Sequence, residues 1–162
     1  MLALRYVYVL ALVVWLGGMV VLGAVVAPGV FEVLQTSDPV NGRAIAGELF
    51  GSLLARFHYV AYAAGALLLV TLAVMALLGP RPRGFAVRTA IAGAMLLVAL
   101  YSGLVVLGTI EAIRGEVGLP SVLPPDDSRR VRFDQLHVLS TRLMMINIVG
   151  ALALLYWEAR AD

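Results

Sequence analysis

The sequence predicts an all-α integral membrane protein, a four-helix up-and-down bundle with an interfacial amphipathic helix before its second span. Three observations carry this. Of the 162 residues, 62% are hydrophobic and 14% are charged, against about 25% charge in a soluble domain. The charges are segregated, with none in 6–31, in 57–79 or in 89–110. Each of those runs meets the roughly 20 residues that a helix needs to cross a hydrocarbon core of about 30 Å.

Taken in order, span one is expected over 5–31, with "APG" at 27–29 loosening its last turn. Its apolar run far exceeds the roughly 7–15 residues of a signal-peptide core, so it reads as an uncleaved span. "SDP" at 37–39 resembles a helix start, Asp38 as cap and Pro39 in the first turn. Ile45, Leu49, Leu53 and Phe57 then share one helical face, which predicts an interfacial helix over 39–55. Span two follows over 56–79, the turn "GPRPRG" over 79–84, and span three over 88–110. A polar, proline-broken outer loop is expected over 111–134.

Span four poses a length problem. Residues 143–157, between Arg142 and Glu158, are too few to cross. Starting at Gln135 gives an adequate span, 135–157, and draws His137 and Arg142 into the membrane. An arginine costs about 2.5–3.5 kcal/mol at a helix centre and less near an interface, where it snorkels. The chain is thus one four-span domain over 1–162.

Arginine supplies every basic residue. The segments holding Arg5, Arg81, Arg83, Arg88 and Arg160 are short and arginine-dense, which predicts both termini on the cytoplasmic side of the plasma membrane. A net charge of +2, scattered along the chain, is wrong for nucleic acid. The partners expected are the lipid bilayer and, beyond it, a second copy or a larger membrane complex. There is no cysteine, so disulfides and thiolate chemistry are excluded. No nucleotide loop, serine triad or paired-histidine protease motif occurs, and the chain leans away from catalysis.

The candidate site rests on the two histidines, His58 and His137. Each stands within about one turn of the outer boundary, on spans that run in the same direction and occupy diagonal corners of a bundle. "ARFHYV" and "VRFDQLHVL" echo one another, as a duplicated helix pair would. Glu32, Glu111 and Asp134 are expected at the same depth, and Asp134 stands three residues before His137, within reach of its ring. Three readings stand side by side. The histidines and carboxylates hold a divalent transition metal ion; or the histidines are axial ligands of a b-type haem, with Arg142 as counter-charge; or they are hydrogen-bonded polar residues of a non-catalytic subunit or small-molecule permease. Metal handling or electron transfer would follow from the first two. Met144 and Met145 read as packing or as soft ligands.

"WLGGMVVLGAVVAPGVF", "RFHYV" and "FDQLHVLSTRLMMINIVGALAL" resemble the transmembrane protein 205-like family (domain of unknown function 4149). The resemblance implies a four-span helical membrane protein and no particular chemistry. It also implies a proline near the end of span three, which "YSGLVVLGTIEAIR" lacks. A more distant similarity, to copper-resistance membrane domains and haem-dependent protoporphyrinogen oxidases, implies only a related arrangement of helices.

Overall fold

The computed structural model describes residues 2–79 and 84–160. Arg81 and Arg83, two of the orientation markers, lie outside the described residues. Four long helices make up the protein: α1 (Leu2–Ser37), α2 (Gly42–Leu78), α3 (Phe85–Val117) and α4 (Ser128–Ala159). All four are long and apolar enough to cross a membrane, and the chain is a multi-pass membrane protein. Sequential helices pack on one another and α4 closes the ring against α1, leaving α2 and α4 at diagonal corners.

In lipid the hydrophobic effect does not drive helices together; close backbone approach and packing do. Small residues supply that approach. A Cβ on Gly18 would overlap the Phe57 ring, and one on Gly150 would overlap Met95. Gly17 and Gly108 have nothing within 4 Å of that position. Tyr8, Leu12, Trp15, Leu68, Leu72 and Leu154 fill the central layers and are almost fully buried.

Two helices run further than the charge pattern suggests. α1 passes through Pro28 to Ser37, because a π-helical stretch at Leu22–Val26 absorbs the proline. There the Ala27 N–H reaches back to the Leu22 carbonyl, so the missing proline donor causes no break. α3 continues to Val117 and carries a second π-helical stretch at Ser102–Leu107. The stretch expected as an interfacial helix runs without a break into the rest of α2. Its apolar residues Ile45 and Leu49 face outward, while Gly42, Ala46, Gly47 and Gly51 turn toward the bundle. Asp38 caps the turn before it, accepting from Val40 and Asn41 N–H groups at 3.1 and 2.9 Å, and the Asn41 bond holds its carboxyl below the usual range. Asp127 caps α4 by accepting from the Arg129 N–H at 2.8 Å.

Candidate functional site

His58 is 91% buried (9% exposed) on α2, and its position is over-determined. Its Nδ1–H donates to the Leu54 carbonyl one turn back, at 2.8 Å. A carbonyl only accepts, so the proton is on Nδ1 and the Nε2 lone pair is left free. The ring lies 6.0 Å from the Tyr62 ring. It also lies so near α3 that a Cβ on Gly103 would come within 2.5 Å of His58 Cδ2 and 2.0 Å of Tyr62 Oη. Gly103 belongs to the π-helical stretch of α3, and such stretches often re-aim a helix at a site.

His137 stands on the diagonal helix and, unlike His58, is exposed. Its ring stacks on Phe133, one turn earlier, with centroids 6.4 Å apart and planes 11° apart. The Arg114 guanidinium lies 5.5 Å from the same Phe133 ring. Both histidines line one cavity of about 270 Å³. Its walls come from all four helices: Trp15, Met19, Leu22 and Gly23 of α1; Phe50, Leu54 and Phe57 of α2; Ser102 of α3; Ser140, Thr141, Met144 and Asn147 of α4. Thr141 donates its hydroxyl to the His137 carbonyl at 3.1 Å. Asn147 is 5% exposed, and its amide oxygen is without a hydrogen-bond partner. A buried polar group left unpaired costs about 1–3 kcal/mol.

The other expected site residues do not join the histidines. Glu32, Asp134 and Arg142 are exposed and line no part of the cavity. Asp134 makes no hydrogen bond to His137, whose ring prefers the aromatic face of Phe133. Glu111 turns toward α2, with Arg114 Nη1 3.7 Å from its Oε1 and its carboxylate against Gly51. Among the described residues, no group of three or more His, Cys, Asp or Glu is placed to hold a metal ion. The mixed histidine and carboxylate shell is therefore not formed. Asn147 and Ser102 were missed from the sequence; a lone amide in the apolar run "INIVGALAL" is the signal that marks the first.

A second polar cluster, also missed, sits at the end of the bundle that carries the termini. Glu158 of α4 accepts from Arg5 of α1 and from Arg88 of α3. Arg88 and Glu158 are 4% and 7% exposed, and the Arg88 guanidinium lies 4.7 Å from the centroid of the buried Tyr8 ring. From Glu158 of this cluster back to His137, 137–158 covers about 30 Å at 1.5 Å per residue, which matches one hydrocarbon thickness.

A family model described as a domain of unknown function (DUF4149) matches residues 10–117. That stretch holds His58 and the π-helical part of α3, and ends before α4. No curated protein and no solved structure matches the chain.

Proposed function

The chain belongs to this family of domains of unknown function, and we propose that it binds a small molecule in the cavity between His58 and His137, as a carrier or ligand-holding membrane component. The observation behind this is the shared cavity: two imidazoles from diagonal helices, with the unpartnered Asn147 amide in the same wall. The likeness to transmembrane protein 205-like proteins belongs to the same proposal, since Phe57–His58 and Leu136–His137, which carry it, supply the two imidazoles.

The lining argues against the two cofactors that histidine pairs suggest. Pockets for drug-sized ligands occupy roughly 300–1,000 Å³, and a cavity of about 270 Å³ is small for a haem macrocycle. Arg142 faces away and would meet no propionate. A divalent ion would meet imidazoles, thioethers and hydroxyls with no carboxylate, leaving two positive charges uncompensated inside the membrane. Hydrogen-bonding groups over an apolar wall suit an organic molecule instead.

The absence of native cysteine makes the cavity directly testable. Ser102→Cys and Ser140→Cys are near-isosteric changes in the wall, and Thr71→Cys is a control that is 3% exposed and off the cavity. Methyl methanethiosulfonate, small and neutral, is expected to modify the two wall cysteines at least about tenfold faster than the control. Equal rates at all three positions would remove the cavity and the proposal with it.

A further inference from the structure

The cavity's chemistry is narrower than "small molecule". No charged side chain lines it, so a charged ligand would be stranded in low dielectric. Its lining is aromatic and sulfur-bearing, with Trp15, Phe50, Phe57 and Met144. Such a lining favours a flat ring, through ring–ring and sulfur–ring contacts. It also includes an acceptor: with Nδ1–H committed to the Leu54 carbonyl, His58 offers only the Nε2 lone pair. Size sets the remaining bound. A cavity of about 150 Å³ accommodates benzene, so about 270 Å³ takes one ring with a short substituent.

Resting on the proposal of a ligand-binding cavity, we infer that its ligand class is the neutral single-ring phenols, with the ring against the Trp15 and Phe57 wall and the hydroxyl donating to His58 Nε2. Phenols ionise near pH 10, so at neutral pH the hydroxyl keeps the proton that His58 requires.

The test uses 4-propylphenol and its methyl ether, 4-propylanisole, which keeps the ring and chain but has no donor. Trp15 lines the cavity and Trp157 does not, so Trp157→Phe leaves a single reporter at the site. In the full chain in micelles, 4-propylphenol should produce a saturable change in Trp15 emission. The ether should bind about tenfold more weakly, the effect of one lost hydrogen bond in a buried site. His58→Phe should bring the phenol down to the ether's affinity. Gly103→Ala, which displaces the His58 ring from a different helix, should narrow the same gap and covers the case that His58→Phe does not fold. The inference is overturned if the ether binds as tightly as the phenol, or if both variants leave the preference intact. Failure of the phenol to protect reactive cysteines at 102 and 140 overturns the ligand class and leaves the cavity standing. Unreactive cysteines overturn both.

Discussion

Glu158→Leu should be the most costly single change at the terminus end of the bundle. Arg88, with 5% of its side chain exposed, loses the carboxylate that compensates its charge. Its Nε already lacks a partner, and the Tyr8 ring closes over the guanidinium. Arg5 is 38% exposed and can turn to solvent or headgroups, so only Arg88 is counted. Removing one partner of a buried pair costs about 3–5 kcal/mol, mostly from the charge left behind. Replacing both partners with apolar residues of similar size is often neutral. The Arg88→Met/Glu158→Leu double variant should therefore retain a cost of about 1 kcal/mol, chiefly the lost contact with Tyr8. The double variant should then be about 3 kcal/mol more stable than Glu158→Leu. Helicity followed during sodium dodecyl sulfate titration of the micelle-bound protein measures both variants. A single variant within about 1 kcal/mol of the parent, or a double variant no more stable than Glu158→Leu, would refute the reasoning.

Two further outcomes follow from particular contacts. Gly103→Ala places a methyl group 2.5 Å from His58 Cδ2 and 2.0 Å from Tyr62 Oη; overpacking of this kind costs about 1–3 kcal/mol, and the displaced ring should abolish the phenol-over-ether preference in the emission titration. Asp127, held down to about 2 chiefly by the Arg129 side chain and N–H, has a depressed folded-state value. Its cap and ion pair should thus stabilise the start of α4 fully above about pH 4 and be lost as pH falls through about 2. Carboxyl carbon chemical shifts across that range give the titration directly, and a midpoint near 4 would contradict the pairing.

Much of the fold is legible because membrane spanning is written in one dimension. Charge-free runs of sufficient length mark helices whatever their neighbours, and depth follows from counting along them. The same counting expects His58 and His137 at one level, but His58 lies against Gly103, fifteen residues beyond Arg88, while His137 stands twenty-one residues before the Glu158 that Arg88 meets; the diagonal corners follow from short connections. What counting cannot give is azimuth. Asp134 at three residues from His137 reads as its partner, yet Phe133 at four residues takes the ring. Arg5, Arg88 and Glu158 read as boundary markers, each on its own helix. Only the closed ring of helices reveals that three ends meet and share one carboxylate. The π-helical stretches left no sequence signal beyond Pro28 in α1, because the extra residue per turn in α3 is set by packing of Gly103 against His58.

The central claim is that the two imidazoles line one cavity from opposite corners of the bundle. A His58→Cys/His137→Cys variant, in a chain with no other cysteine, tests it through a short bismaleimide. After complete proteolysis, mass spectrometry should find the peptides containing positions 58 and 137 joined within one chain. Efficient labelling of both cysteines by a monofunctional maleimide, with no joined peptide from the bifunctional one, would contradict the account.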